Sequence, residues 1–512
     1  MTRSRDDILN EPILSVRYTN RETGLLTLPG VFEHLYADDI ESFTGLQAHQ
    51  THAWHAFLVQ LATMALHQQR QLSIPSAEAW RFALLGLSGG QASAWYLVND
   101  TLLEPAFMQP PVPEDTLAAF KNRAGTPDAL DILITSKNHD VKSARMSRAS
   151  AEHWIFALVS LQTMAAYGGR DTYGVARMNG GSSSRPALGF TPSLRPGAHF
   201  QRDVRVCLAH RERIVGERPY PLEGGICLLW LEPWDGVREL ALSQLDPLFI
   251  EVCRRARMKL EDGVLRCWTT STKAPRIDTE GLHGLTGDAW TPIRKEPAKA
   301  LTAGPDAFSY RRLSELLFSG DFMQGVAGEA YQEDGEQLFL RASVLVGGNC
   351  KTEGFVERTV SVPPKARRWL MTVGEREALG DLARRRLKRV ETLHGTLKLA
   401  LCMLLQPTRE RPEFRDARIE PLTRSFETAV DQVFFPSLWR DLELGAADSD
   451  RAWEAEIIQL GKDALQRAVH AVPISASLRF RAIARADSAF SGGLYKHFPE
   501  TMASPNRGAA PP

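Results

Sequence analysis

The 512-residue chain is 43% hydrophobic and 24% charged, with 61 basic against 61 acidic side chains, a balance that excludes disorder, collagen and a continuous coiled coil and leaves globular material for roughly two to four domains. Its neutrality excludes a generally cationic nucleic-acid coat and confines any such binding to local loops. With no uninterrupted apolar run of about 18 residues, no apolar signal core at the start, and six dispersed cysteines without a CxxC, a soluble, cytoplasmic protein with reduced thiols is expected, without membrane contact.

The runs Ile13-Leu14-Ser15-Val16 and Leu25-Leu26-Thr27-Leu28-Pro29, joined by a polar stretch containing Gly24, predict a small hairpin sheet. From Leu46 to Gln69 the apolar residues fall at helical spacing, with Trp54, Phe57, Leu58, Leu61, Met64 and Ala65 on one face, and a second helix is expected over Ser76 to Leu87. The prolines between Glu104 and Pro113 require an extended crossing. Asp131-Ile132-Leu133-Ile134 leads into a polar loop, Thr135 to Lys142, and then into a helix over Ala149 to Ala166. Tyr167 to Pro196 is the most glycine-rich stretch, suited to close backbone approach and positive φ.

From Asp203 to Pro364, β-like runs (Val204 to Leu208, Ile226 to Trp230, Leu338 to Val346) alternate with polar connections and predict a substantial sheet. Beyond Pro363-Pro364 the pattern turns helical. Leu379, Leu382, Ala383, Val390, Leu393, Leu397, Ala400, Leu401 and Leu404 form a heptad-like seam, followed by helical stretches over 422–442, with a kink expected at Pro436, 450–472 and 477–496. The fold class is α+β: a large mixed N-terminal domain over 1–364, a C-terminal four-helix bundle over 370–502, and a disordered tail over 503–512.

Several residue patterns could carry chemistry. His49, His52 and His55 recur every third residue and either converge on a metal or lie along a polar helix face; no HExxH accompanies them. Gly86-Leu87-Ser88-Gly89-Gly90 matches the GxSxG pattern of a serine hydrolase, but Trp80 to Leu85 reads as helix where a nucleophile elbow needs a strand, so a glycine-terminated helix end explains it better. Lys137, Asn138, His139 and Lys142 equip the 135–142 loop for a polynucleotide backbone, or make an exposed polar turn. Gly174 to Pro186 lacks both GxxxxGK[ST] and GxGxxG. It instead offers bare backbone N–H groups, Ser182 to Ser184 and the arginines Arg177 and Arg185, suited to a sugar–phosphate surface or a narrow groove, or else forms a flexible linker. Gly347 to Gly354, between two strand-like runs, reads as a long hairpin tip that could wedge between bases or simply turn at the surface.

In order and architecture the chain resembles the CasA-type large subunit of the type I-E CRISPR surveillance complex, Cascade. The opening Ile8-Leu9-Asn10-Glu11-Pro12-Ile13, the segment Ala106-Phe107-Met108-Gln109, the strand Pro247-Leu248-Phe249-Ile250-Glu251-Val252-Cys253 and the terminal helical bundle carry the likeness. The resemblance implies a subunit with no chemistry of its own and no cofactor that docks at the guide RNA and recognises a short motif beside a double-stranded DNA target. It also implies other Cascade subunits and a recruited helicase-nuclease as partners.

The resemblance puts the RNA-handle docking loop on Thr135 to Lys142 and the glycine loop, which approaches the minor groove, on Ala176 to Ser184. On that basis Arg177, Asn179, Gly180, Gly181 and Ser182 are motif-binding candidates. A groove-entering lysine corresponds to Lys273, with Arg276 as the substitute, and the strand-separating hairpin begins at Gly347-Gly348, bringing in Asn349, Lys351 and Thr352. The family's wedge glutamine has no counterpart here; its place falls at Thr352 or Glu353, leaving a steric wedge. Cys253 and Cys267 alone do not make the four-cysteine zinc site of some members. Two other readings stand beside this one: a hydrolase using Ser88 and a scaffold that binds only proteins.

Overall fold

The structure, a computed structural model, describes residues 6–133, 149–348, 351–442 and 444–503. The chain divides into two compact units, Met1–Phe308 with Asp321–Ser361, and Ser309–Gly320 with Val362–Pro512. The α+β class holds, with a mixed first part followed by a run of helices.

The first unit opens with β1 (Leu14–Tyr18), β2 (Thr23–Leu26), α1 (Leu28–Ala37) and β3 (Ile40–Phe43). Three strands form the first sheet, in the order β2-β1-β3. The second strand stops at Leu26 because Thr27 caps α1, its hydroxyl accepting from the Gly30 amide at 3.1 Å, and Pro29 sits in the first turn, where a missing N–H costs nothing. Next come α2 (Thr51–Gln69) and α3 (Ala77–Leu87), the latter capped by Ser76. β4 (Asn122–Ala124) and α4 (Ala151–Met164) follow. Trp54, Phe57, Trp80, Trp95, Trp154 and Trp230 are buried in one continuous core. The Ala106–Gln109 segment is buried with it: Gln109 is fully enclosed, its amide donates to the Leu97 carbonyl at 2.9 Å, and its oxygen accepts from the Met258 amide at 2.6 Å.

β5 (Ala187–Thr191) precedes α5 (Pro196–Ala209), and α5 corrects the reading of Val204 to Leu208 as a strand. The period-two alternation there also satisfies a helical period. Phe200, Val204 and Cys207 are buried together, and Pro196 begins the helix. Beyond it lie β6 (Ile226–Leu228), β7 (Leu245–Ile250), β8 (Arg255–Glu261), β9 (Val264–Thr270), β10 (Ile293–Arg294), β11 (Lys299–Ala300), β12 (Phe322–Met323), β13 (Leu338–Gly348) and β14 (Lys351–Val362). The expected substantial sheet is instead several small ones: β4-β9-β8, β11-β10-β12, β14-β13-β5 and the parallel pair β6-β7. β5 runs antiparallel to β13 from Ser343↔Ala187 to Phe339↔Thr191.

The second unit contains α6 (Tyr310–Phe318), α7 (Pro364–Met371), α8 (Val373–Leu405), α9 (Ile419–Arg440), α10 (Ala446–Ala471) and α11 (Ala476–His497). α8 packs against α9, α10 and α11. Its seam from Leu379 to Leu404 is buried, as are Phe426, Val430 and Phe434 of α9, Trp453 and Ile457 of α10, and Ala482, Ala486 and Phe490 of α11. α9 is one helix through Pro436. Within this core Arg386 is fully buried and pairs with Asp441 at 2.6 Å. The tail from 504 lies outside the described residues. Among the described residues no helix is long and apolar enough to cross a membrane.

Candidate nucleic-acid interface

The glycine loop leaves α4 through a short turn in which the Gly168 amide donates to the Thr172 carbonyl at 2.9 Å, and the Val175 amide ties back to the Ala165 carbonyl at 3.0 Å. At its crest Gly180 and Gly181 are exposed and adopt left-handed φ values of 67° and 91°. The left-handed conformation favours glycine at 181, where a Cβ would also stand 2.7 Å from the Thr302 Cγ2 methyl and displace it. Ser182 is exposed and Asn179 half-buried, whereas Ser183 and Ser184 turn inward.

Those two serines join the loop to the hairpin. The Ser184 amide donates to the Leu345 carbonyl at 2.8 Å, the Leu345 amide returns to Ser184 Oγ at 2.8 Å, and the Gly347 amide donates to Ser183 Oγ at 3.2 Å. The contact prolongs the β5–β13 ladder toward the tip. β13 reaches Gly348 and β14 starts at Lys351, so much of the stretch expected as a tip is strand, and residues 349 and 350 lie outside the described residues. Asn349 and the Lys351 side chain lie outside the described residues. Thr352 is half-buried, and its hydroxyl donates to the Leu133 carbonyl at 2.8 Å, so it is held against the root of the polar loop instead of being presented at a tip.

Leu133 is the last described residue before that loop; Lys137, Asn138, His139 and Lys142 lie outside the described residues. The root is firmly built. Asp131 accepts from His49 Nε2 and Gln50 Nε2, each at 2.6 Å, and from the Leu133 amide at 2.8 Å.

At the other end of the glycine stretch, the Tyr173 hydroxyl donates to the Lys273 carbonyl at 3.0 Å and the Thr272 amide to the Asp171 carbonyl at 3.0 Å. Lys273 is exposed. Arg276 is not: it is 2% exposed, donates to the Glu232 carbonyl at 2.9 Å, lies over the Trp234 ring at 5.3 Å, and burial lowers its pKa to about 10. Of the two candidates for a groove-entering cation, only Lys273 is available.

Arg177 and Arg185 are likewise corrected. Arg177 is 3% and Arg185 2% exposed. Arg177 donates to the Phe249 carbonyl at 2.9 Å with its guanidinium 3.8 Å above the Phe249 ring, and Arg185 pairs with Asp288. An arginine already bonded inside the protein cannot also neutralise a phosphate.

The three histidines do not converge: His49 precedes α2, and His52 and His55 lie within it. His49 serves Asp131, while His55 Nε2 lies 2.9 Å from Asp203 Oδ2, where His199 Nε2 also approaches at 3.4 Å. Ligand atoms of His55, His199 and Asp203 fall within 4.8 Å of one another. The surroundings favour hydrogen bonds over a metal. The His55 and His199 rings stack face to face at 3.7 Å, which aims their in-plane lone pairs side by side, and Trp290 Nε1 donates to the same Asp203 oxygen at 2.8 Å. Arg341 Nη1, 3.5 Å from His199 Nδ1, occupies the place where a metal-bound histidine needs an acceptor. Burial and the neighbouring His55 hold the His199 pKa down to about 3. Burial opposes ionisation of Asp203 but is outweighed by the His199, His55 and Arg202 contacts, which keep it well below the usual carboxylate range.

Ser88 is the C-cap of α3, as a helix-end reading expects. It is 4% exposed, its hydroxyl lies 2.9 Å from the Leu85 carbonyl and 3.1 Å from that of Gln91, and it accepts from Trp95 Nε1 at 3.0 Å. No histidine is among the hydrogen-bond partners described for it.

No protein-family model matches the chain, and no curated protein matches it in sequence. Solved structures do. CasA of Thermus thermophilus superposes with a TM-score of 0.65 at 17% identity, covering 96% of this chain and 99% of that one. The chain has the CasA fold. Cse1 of Thermobifida fusca gives a TM-score of 0.65 at 14% identity, covering 97% and 98% of the two chains. A chain described as a CRISPR RNA-guided surveillance complex gives 0.62 at 14%, covering 95% and 99%. The agreement extends over nearly the whole chain, while the low identities leave individual side-chain roles to be argued from this structure.

Proposed function

We propose that the chain is the large subunit of a Cascade-type RNA-guided surveillance complex and that it recognises the short motif beside a double-stranded DNA target. The observation that carries this reading is the joining of three separate sequence segments. The glycine loop is hydrogen-bonded to the hairpin through Ser183 and Ser184, and its stem is hydrogen-bonded to the Lys273 loop through Asp171 and Tyr173. The result is a connected surface with exposed backbone at Gly180 and Gly181, a hydroxyl at Ser182 and a cation at Lys273. Such a surface suits a narrow groove, where bare backbone approaches closely and one long cation reaches the base edges.

In this reading Asn179 to Ser182 and Lys273 meet the minor groove. Asn349, Lys351 and the strands behind them separate the duplex, while Lys137, Asn138, His139 and Lys142 meet the guide RNA handle. The helical unit contacts neighbouring subunits, and the assembled complex recruits a helicase-nuclease in the cytoplasm. The minor groove presents a degenerate pattern, so several motifs are accepted and base pairing with the guide supplies the remaining specificity.

The test is duplex binding by the guide-RNA complex with and without this chain, against targets whose flanking positions are randomised. Motif selection only when the chain is present supports the reading. Equal selection in its absence overturns it and moves the scaffold and hydrolase readings ahead.

A further inference from the structure

At the crest of the glycine loop Gly180 has open space around its Cβ position. The loop's ends are fastened. The Ala176 amide donates to Glu251 Oε1 at 2.6 Å, and Arg177 Nη1 lies 3.6 Å from Glu251 Oε2. Arg177 Nε approaches Asp288 Oδ2 at 4.0 Å, and Arg185 Nη2 donates to Asp288 Oδ1 at 2.7 Å. Asp288 thus touches the arginine on each side of the crest. All four side chains are at least nine-tenths buried, two bases and two acids.

We propose that Arg177, Arg185, Glu251 and Asp288 form a clamp that sets the position of the Asn179–Ser182 crest, making Arg177 a positioning residue for motif recognition and not a DNA contact. The proposal deepens the function proposed above and rests on it for the duplex, whereas the clamp itself can be judged without DNA. The physical case is that a buried charge left without a partner is costly, so each arginine keeps its end of the loop where the carboxylates, and for Arg177 the Phe249 carbonyl, can meet it. Fixing both ends limits where the crest can reach, although its two glycines leave the backbone there permissive. An exposed arginine could not do this, since a solvated pair yields its geometry readily.

Two variants of the full chain test the clamp: Arg177→Met, and the double variant Arg177→Met with Glu251→Gln. The double variant leaves no unpaired charge at Glu251 and so folds even if the single one does not. The first readout is hydrogen exchange at amides 178–184, with α2 amides as the internal reference. The second is the ratio of the assembled complex's affinities for selected and unselected flanking motifs.

Exchange at least about tenfold faster in the crest, with α2 unchanged, is expected, together with a roughly tenfold smaller affinity ratio and motif-free binding within about twofold. Arg177→Lys, which keeps a cation beside the carboxylates, recovers part of both. A merely structural arginine would speed exchange throughout the unit or nowhere. Parent-like exchange in the folded double variant overturns the clamp, and faster exchange with the affinity ratio retained overturns its role in recognition. If the parent complex shows no motif selection, the function proposed above falls, and the exchange result alone still decides whether the clamp exists.

Discussion

Glu251→Gln is expected to stabilise the mixed unit at alkaline pH and to leave it unchanged in acid. Burial, opposed by Arg177 and the Ala176 amide, raises the Glu251 pKa from 4.5 to about 7. Around that carboxyl stand Arg177, Arg185 and Asp288, and the Tyr220 hydroxyl, itself raised to about 12 by burial, shares the field of Arg177. Because the folded value lies above the unfolded one, the folded state binds more protons between these limits, and stability falls as pH rises from 4.5 toward 7. Below the lower limit both states are protonated and nothing is lost. At about 1.4 kcal/mol per tenfold change in proton affinity, ionisation of Glu251 costs about 3 kcal/mol once the pH exceeds the folded value. Glutamine mimics the protonated form and retains the acceptor for the Ala176 amide, so it escapes that cost. The assay is chemical denaturation of parent and variant at about pH 4.5 and about pH 8, on either side of the window, followed by exchange at β5, β7 and β13 amides so that only the mixed unit is counted. A variant less stable than the parent at the alkaline end, or a parent equally stable at both, refutes the argument.

Lys273→Ala should leave stability within about 0.5 kcal/mol, as a surface change, and reduce the slope of log affinity against log salt by about 1. Arg276→Ala should instead destabilise the fold by about 3 kcal/mol through an emptied buried site, seen as a lower denaturation midpoint before any DNA is added. Gly181→Ala, at a φ of 91° and 2.7 Å from Thr302 Cγ2, should cost about 1–3 kcal/mol of local strain and lower motif selection in the randomised-target assay. Gln109→Leu keeps the volume but strips the Leu97 carbonyl and the Met258 amide of their partner; at about 1–3 kcal/mol for each orphaned group, the midpoint should fall well below that of the parent.

Periodicity revealed the long elements because it is a local property. The α8 seam, the α2 face and the N-cap of α3 all depend on residues within a turn or two of each other, and Gly180 and Gly181 announce left-handed backbone by type alone. What sequence could not reveal is where a charged side chain finds its partner. Arg177 meets a carbonyl 72 residues away, and His55 meets a carboxylate 148 residues away. An arginine beside glycines gives the same signal whether it faces a phosphate or an internal carboxylate. The available hint was composition, since equal numbers of acids and bases give every arginine a possible internal partner. The Val204 region failed for a different reason, since a short alternation fits period 2 and period 3.6 almost equally well.

The buried arginines change the argument about how such a protein reads DNA. Had Arg177, Arg185 and Arg276 all faced the duplex, each would have added a salt-sensitive, sequence-independent attraction. The structure places all three inside, against Glu251, Asp288 and the Glu232 carbonyl, and leaves backbone, Ser182 and Lys273 at the surface. The arginines' positive charge is spent on internal partners. If the clamp and the proposed function both hold, a nearly uncharged crest gains little from phosphates of any sequence, and what distinguishes one duplex from another is whether the groove admits the backbone at Gly180 and Gly181. Under the proposed function, shape would then discriminate, a wrong motif would be released quickly, and the hairpin fastened to the same loop would be brought to the duplex only where the crest has seated.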